Sequence, residues 1–336
     1  MASLMKCAVV GVGYLGTFHA QKYKKLSETS PEIELVGVYD ANPEHAQRVA
    51  GELGVKAFAT LEEVRKEVQA VTIAVSTKAH YEVASFFLKN NIAVNVEKPM
   101  TSTLVEAEAL AKLVEQTNGS LSVGHIERFN PSILELKRLL ENPLHFELKR
   151  LGPFRARGAD VNVLYDLMIH DIDLALWLTG SEPESWIASG SRLLSSEWDT
   201  CQVALKMKNG MKVSIEVSRV SPVTLRSIKA TQPLSVLTVN TGTQELTEVM
   251  AAQHPHHHLE VRPFGDAHYQ PSQKLNDGEL LAVRTWTVEK KDALLEETRA
   301  FVHANLHKIP MPVSAEEGLR AMKWTAAIEK DLSRNS

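Results

Sequence analysis

The chain has 336 residues, enough for roughly two domains, and its 44% hydrophobic and 23% charged residues make an ordinary globular balance. A net charge of -4 gives no general attraction to nucleic acid or an anionic membrane, and two cysteines in no paired motif, Cys7 and Cys201, argue against a disulfide framework and for a reducing compartment. No apolar run approaches the roughly 20 residues that a bilayer span needs, and residues 7–15 read as a first strand with its glycine turn rather than a signal core, so a soluble cytoplasmic protein is expected.

Residues 6–10 read as a strand and 14–26 as a helix. A strand over 35–39 leads to a helix over 43–53, which opens with Pro43 in its first turn. A short helix over 61–68, a strand over 71–75, a helix over 79–89 and a strand over 93–96 follow. An alanine- and leucine-rich helix over 103–115, with Thr101 and Ser102 as candidate caps, precedes a strand over 121–123. Alternating strands and helices predict an α/β domain over residues 1–124, a Rossmann-type doubly wound parallel sheet. The pattern changes after Gly124: a helix over 131–140, a strand over 145–151, and a helix over 165–178 that stops at Gly180. Val203, Leu205 and Met207 then alternate with Ala204, Lys206 and Lys208, and Val213, Ile215 and Val217 alternate with Ser214, Glu216 and Ser218. Such strands bury one face, as in an antiparallel sheet, and Asn209-Gly210 between them is a hairpin signal. Residues 251–276, rich in His, Pro and Gln, read as a long loop, and helices over 293–305 and 315–332 finish the chain. Residues 125–336 therefore predict an α+β domain with a large open, mostly antiparallel sheet.

The first concentration of chemistry is Gly11-Val12-Gly13-Tyr14-Leu15-Gly16. Gly11 permits a tight turn, Gly13 lets backbone approach a phosphate, and Gly16 lets helix and strand pack closely. The helix N-terminus supplies unpaired N–H groups and a positive dipole for a pyrophosphate. The motif alone is weak, but it follows a strand, opens a helix, and has Asp40 ending the next strand. Asp40 is expected to accept hydrogen bonds from an adenosine ribose, the competing reading being an ordinary loop acid. Its charge would repel a 2′-phosphate and no arginine follows in Ala41-Asn42-Pro43, so NAD is predicted over NADP.

Glu97-Lys98-Pro99 follows the apolar run 92–96. That places a lysine amine at the carboxyl end of a parallel strand, where open α/β sheets hold their ligands, and Pro99 restricts Lys98 to extended conformations. A catalytic or substrate-orienting amine is expected there, against the reading of a solvated surface lysine; an amine beside a nicotinamide suggests alcohol–ketone redox chemistry. In the predicted helix, Asp166 and His170 are four apart and share a face, with Asp173 adjacent. A carboxylate and an imidazole so placed can bind a sugar hydroxyl and remove its proton; ordinary helix polarity is the competing reading. One histidine without cysteine argues against a metal there. The polar run from Gly124 to Pro131 suggests a cleft lining that includes Arg128 and Asn130, while Asn130 alternatively caps the helix beginning at Pro131. His254, His256, His257 and His258 lack helical spacing and read as a solvated loop, so no metal site is predicted.

Together the glycine loop, Glu97-Lys98-Pro99 and Asp166…His170 resemble the glucose-fructose oxidoreductase/inositol dehydrogenase (Gfo/Idh/MocA) family, over nearly the whole chain. The resemblance implies an NAD-binding domain, and a second domain whose open sheet often forms the interface of a homo-oligomer, dimer or tetramer. It implies cofactor contacts from Gly11, Gly13, Tyr14, Leu15, Gly16, Asp40, Ser76, Thr77, His80, Glu97 and Lys98. It implies a substrate pocket with Lys98, Asp166 and His170, to which Arg128, Asn130, Arg155 and Arg157 are added. More narrowly, Gly124 to Pro131, Arg150-Leu-Gly-Pro153 and Asp166 to Asp173 are similar to the UDP-N-acetylglucosamine 3-dehydrogenase branch. That branch oxidises the sugar 3-hydroxyl to a ketone, which a partner aminotransferase converts to an amine for lipid A or related glycans. On this reading Lys98 holds the substrate oxygen, His170 or Lys98 is the base, Asp166 orients the sugar or His170, and Arg155, Arg157 and Arg219 are candidates for the UDP phosphates. Two other readings stand beside it: a dehydrogenase of the same family acting on another UDP-sugar, a simple sugar or inositol, and an NAD-sensing regulator, which would not need Lys98, Asp166 and His170 together.

Overall fold

The computed structural model describes residues 4–154, 162–251, 267–274 and 280–334. The chain divides into two compact units, Met1–Ile126 with Asp292–Lys323, and Glu127–Lys291 with Trp324–Ser336. The sequence reading assigns all of 125–336 to the second domain; the structure returns 292–323 to the first unit. The cause is a shared core: Leu295, Phe301 and Val302 of the tail are buried in one cluster with Val9, Tyr23 and Leu26. Periodicity shows that a helix has an apolar face but not which core receives it.

In the first unit the elements run β1 (Met5–Val10), α1 (Tyr14–Thr29), β2 (Ile33–Tyr39), α2 (Pro43–Leu53), β3 (Lys56–Ala57) and α3 (Leu61–Glu67). Then come β4 (Ala70–Ile73), α4 (Thr77–Lys89), β5 (Ala93–Glu97), α5 (Leu104–Thr117) and β6 (Leu121–Gly124). The six strands form one parallel sheet in the order β3-β2-β1-β4-β5-β6. Strand order reverses between β1 and β4, the position where such sheets open a ligand crevice at their carboxyl edge. Strands β4 and β5 are buried throughout, as expected of a parallel sheet covered on both faces. Helix α2 is bounded by an Asn42 cap, Pro43 in its first turn and a left-handed Gly54. Helix α5 is entered through Thr103, not Thr101 or Ser102, because Thr103 and Glu106 form a reciprocal capping box.

The second unit continues with α6 (Pro131–Leu139), β7 (His145–Leu151), a π-helical turn (Leu164–Met168), α7 (Ile169–Thr179), β8 (Pro183–Ser191), β9 (Thr200–Met207) and β10 (Lys212–Ser218). Five further strands follow, β11 (Leu225–Thr231), β12 (Ser235–Asn240), β13 (Glu245–Ala251), β14 (Ala267–Lys274) and β15 (Leu280–Thr287), of which the sequence reading named none. The nine strands are ordered β14-β15-β13-β12-β11-β7-β10-β9-β8, antiparallel except for the β7–β10 pair. Ile133 and Leu136 of α6, with Ile172, Ala175 and Leu176 of α7, share a core with inward residues such as Phe146, Leu148, Val203 and Ile215. The opposite face is open, with Gln202, Ala204 and Ile187 exposed. The loop expected over 251–276 is partly strand: residues 267–274 pair with β15, and Pro271 falls at a register irregularity of this edge strand, where proline is tolerated. Residues 252–266, including His254, His256, His257 and His258, lie outside the described residues. The chain closes with α8 (Ala293–His307) and α9 (Ala315–Arg334). Among the described residues no helix is long and apolar enough to cross a membrane.

Candidate active site

At the carboxyl edge of the parallel sheet, the three motif glycines are required for three different reasons. Gly11 has φ +87°, and a Cβ there would stand 2.7 Å from Val75. A Cβ on Gly16 would stand 1.8 Å from the Gly11 carbonyl oxygen. A Cβ on Gly13 would meet nothing within 4 Å, so nothing in the protein itself demands a glycine there. Gly13 is the N-cap of α1, with no side-chain cap bond and no acidic residue in the first turn. The positive dipole end of α1, with space in front of it and no acidic side chain beside it, fits a pyrophosphate. Tyr14 and Leu15 beside it are exposed, at 67% and 40%. Asp40, at the end of β2, accepts the Val12 N–H on Oδ2 (2.7 Å) and the Asn42 N–H on Oδ1 (2.9 Å). It braces the glycine loop and keeps further lone pairs for a ribose hydroxyl.

The other expected cofactor residues divide into an outer and an inner set. Ser76 is the exposed N-cap of α4, and Thr77 begins that helix. His80 is buried: its ring nitrogens lie 2.9 Å from the Pro99 carbonyl and 3.2 Å from the Val75 carbonyl, tying together the segments after β5 and β4. Burial, against these two carbonyl contacts, holds its pKa below the ordinary value, so the ring is neutral. Glu97 is also turned inward. His19 Nε2 donates to its Oε1 at 2.6 Å, and its Oε2 accepts the Lys98 backbone N–H at 3.2 Å. Both carboxylate oxygens are thus engaged within the first unit. Lys98 itself is half-buried at the carboxyl end of β5, at the same sheet edge as the glycine loop. His19 escaped the sequence reading; its signal is a polar residue in line with Ala20 and Tyr23 on the buried side of α1.

In the second unit, Asp166 lies in the π-helical turn and His170 in the first turn of α7, both half-buried. The sequence reading predicts one regular α-helix here. Asn162 sets the departure: its side-chain oxygen accepts the Leu164 N–H (3.0 Å), and its carbonyl accepts the Tyr165 and Asp166 N–H groups (both 3.1 Å). Glu329 of α9 pins the same turn through Asn162 Nδ2 (2.8 Å) and the Tyr165 hydroxyl (3.0 Å). A π-turn of this kind shifts side chains off the i, i+4 register and is frequent at functional sites.

Asp173, expected beside Asp166 and His170, pairs with Arg128. It is buried, with Arg128 donating to both its oxygens at 2.8 and 2.6 Å. Arg128, expected in a cleft lining, is only 4% exposed and is held in this pair. Asn130 is the cap of α6, accepting the Ser132 N–H at 3.1 Å. Arg150 forks onto Asp171 (3.0 and 2.9 Å) and reaches Glu127 (2.7 Å). Burial opposes its charge, but the two carboxylates outweigh that and hold its pKa above the ordinary arginine value. Helix α7 is buried on nearly all sides, so Asp171 and Asp173 are both enclosed and their charges need buried arginine partners. Arg219 pairs with Asp199 (2.7 Å) and Ser195 Oγ (2.7 Å). It also lines a cavity of about 220 Å³ with Asp166, Arg150, Ser218, Thr224 and Arg226. Arg226 was not anticipated; it stands in register with Arg150 on the neighbouring strand, is exposed, and makes no side-chain hydrogen bond among the described residues. Arg155 and Arg157 lie outside the described residues.

Residues 5–125 match the model of the oxidoreductase family with an NAD-binding Rossmann fold, GFO_IDH_MocA, and residues 144–231 match the Gfo/Idh/MocA C-terminal domain. The chain belongs to the Gfo/Idh/MocA family. It is an NAD-dependent dehydrogenase. Among characterised members, the chain is 38% identical to UDP-N-acetylglucosamine 3-dehydrogenase of Acidithiobacillus ferrooxidans over 64% of its own length and 67% of that protein. It is 29% identical to scyllo-inositol 2-dehydrogenase (NAD(+)) of Bacillus subtilis over 66% of its own length and 69% of that protein. The solved structure of the A. ferrooxidans enzyme GnnA superposes with a TM-score of 0.84, covering 98% of each chain at 29% identity.

Proposed function

We propose that the protein oxidises the 3-hydroxyl of UDP-N-acetylglucosamine to a ketone. The observation that carries this reading is the second-unit cavity, where a carboxylate, Asp166, stands among Arg150, Arg219 and Arg226. Asp166 suits a sugar hydroxyl. Arg226, with no carboxylate bonded to it, suits a diphosphate, which a free polyol lacks. The similarity to the A. ferrooxidans enzyme in sequence and structure supports the same substrate class.

NAD, when bound, supplies the two-electron acceptor. The backbone from Gly11 to Gly16 would hold its pyrophosphate, and Asp40 would accept from its adenosine ribose. Lys98 donates a hydrogen bond to the substrate oxygen and stabilises negative charge as it develops. His170 accepts the hydroxyl proton, with Lys98 the alternative base, and Asp166 orients the sugar or the imidazole. The ketone is the substrate of a following aminotransferase, in synthesis of lipid A or a related glycan. The open sheet face is the expected surface of a cytoplasmic homo-oligomer. The inositol dehydrogenase relative favours a second reading, oxidation of a free polyol. Arg226→Ala separates the two: KM for the UDP-sugar rises about tenfold for the loss of roughly 1.4 kcal/mol of phosphate binding, while turnover of inositol is unaffected. An unchanged KM for the UDP-sugar refutes the phosphate assignment.

A further inference from the structure

Asn95 and Glu97 lie two apart on β5 and so project to the same face. There they meet His19 of α1 and Glu297 of α8, two helices that pack on one another. His19, Glu97 and Glu297 are all buried, with one nitrogen or oxygen atom of each within 4.8 Å of the others. Glu297 Oε1 accepts from Asn95 Nδ2 at 3.2 Å. Glu297 Oε2, His19 Nδ1 and Asn95 Oδ1 have no hydrogen-bond partner among the described residues. A single metal ion does not account for the arrangement. Ligands about 2.1 Å from an ion stand about 3 Å or more apart, whereas His19 Nε2 and Glu97 Oε1 are 2.6 Å apart, a hydrogen-bond separation.

Such a layer is costly in a core otherwise built from Val9, Tyr23 and Phe301. Buried ion pairs are often no more stabilising than apolar side chains of similar volume, so such a layer is weak evidence of a role in stability. What distinguishes the cluster is its exit. Glu97, bonded on one oxygen to His19, holds the Lys98 backbone N–H with the other.

We propose that His19, Glu97 and Glu297 form a positioning cluster for Lys98, in which His19 clamps the carboxylate that holds the lysine backbone and the protonation of Glu297 sets the charge behind the amine. The proposal rests on the role given to Lys98 above. The groups facing Glu297 are His19 and Tyr23 from α1 and Asn95 and Glu97 from β5, with Lys22 acting on His19 and itself paired to Asp292 at 2.8 Å. Burial pushes Glu297 up to about 8, and the Glu97 charge adds to this against His19 and Asn95. Burial lowers His19 and raises Glu97, but in each case the bond and charge of the other outweigh it, so His19 is shifted up and Glu97 down. Lys98 acts electrostatically on Glu97, so the charge on Glu297 is transmitted through Glu97.

The test reads Lys98 directly. Lysines of the full-length protein are dimethylated with ¹³C-formaldehyde, which keeps their charge, and the Lys98 signal is assigned by its loss in Lys98→Arg. In the wild type this signal shows an inflection near pH 8; in Glu297→Gln, which keeps a partner for Asn95, the inflection is gone. His19→Gln, checked for folding by its melting curve, displaces the Lys98 signal already at pH 7. Superimposable Lys98 curves in the wild type and Glu297→Gln overturn the proposal. The pH profile of kcat with UDP-N-acetylglucosamine or myo-inositol loses its step near pH 8 in Glu297→Gln, without change in KM for NAD; retention of that step also overturns it. The NMR titration needs no substrate. Coupling seen there without turnover of either compound removes the substrate reading and leaves the cluster standing.

Discussion

The glycine loop offers a prediction in which folding and cofactor binding separate. Gly13→Ala places a methyl group where nothing lies within 4 Å, at a φ of −66° that L residues adopt without left-handed strain. Its effect on stability should stay within about 0.5 kcal/mol, as for an uncomplicated surface substitution. The same methyl projects into the space assigned to the pyrophosphate, so NAD affinity should fall at least about tenfold, or roughly 1.4 kcal/mol. Gly16→Ala inverts the outcome. Its Cβ would overlap the Gly11 carbonyl oxygen at 1.8 Å, which forces α1 away from β1. Overpacking of this kind costs about 1–3 kcal/mol or more. Gly11→Ala combines contact with Val75 at 2.7 Å with φ +87°, which adds about 1–2 kcal/mol. Urea denaturation with NAD titration by intrinsic fluorescence measures both quantities on each variant. The reasoning is refuted if Gly13→Ala binds NAD like the wild type, or loses as much stability as Gly16→Ala.

Three further outcomes are expected. His170→Ala and Lys98→Ala should each lower kcat about 100- to 10,000-fold, with NAD affinity retained in His170→Ala; near-wild-type kcat in both refutes the assignment. Arg150→Met strands the charges of Glu127 and Asp171 in the core and should cost about 3–5 kcal/mol in urea denaturation, whereas Arg138→Ala, which breaks an exposed pair with Glu135, should cost under about 1 kcal/mol. Asp199 is pushed up by burial, but the Leu194 N–H, Arg219, Ser195 and the Leu193 N–H together hold it well below the usual carboxylate range. Its stabilisation is therefore complete above the unfolded aspartate pKa of about 3.9 and lost as pH falls below it. Asp199→Asn should flatten the stability–pH curve on that acid side alone, and an unaltered curve there contradicts this.

The first unit was legible because its signals are local. Buried apolar runs, a glycine turn and an acid ending the next strand fix the parallel sheet edge and the place of Lys98 on it. The two-residue β3 is too short to leave a pattern. Strand β14 was hidden because its pairing with β15, not its composition, makes it a strand. The inward turn of Glu97, His80, Arg128 and Asp173 depends on partners remote in sequence: His19 for Glu97, the Val75 and Pro99 carbonyls for His80, and the Arg128–Asp173 pair itself. A polar residue near a motif looks the same in sequence whether it faces a ligand or a buried partner. The π-turn at Asp166 was likewise set by Asn162 and Glu329, which no helical periodicity reports.

The most direct test of the central claim is NADH formation, followed by absorbance, when the purified protein is mixed with NAD and UDP-N-acetylglucosamine. An aminotransferase and amino donor are included to draw the ketone forward. NADH that accumulates with the UDP-sugar, and not with free N-acetylglucosamine or inositol, is the predicted result. NADH formed from inositol but not from the UDP-sugar would contradict the account.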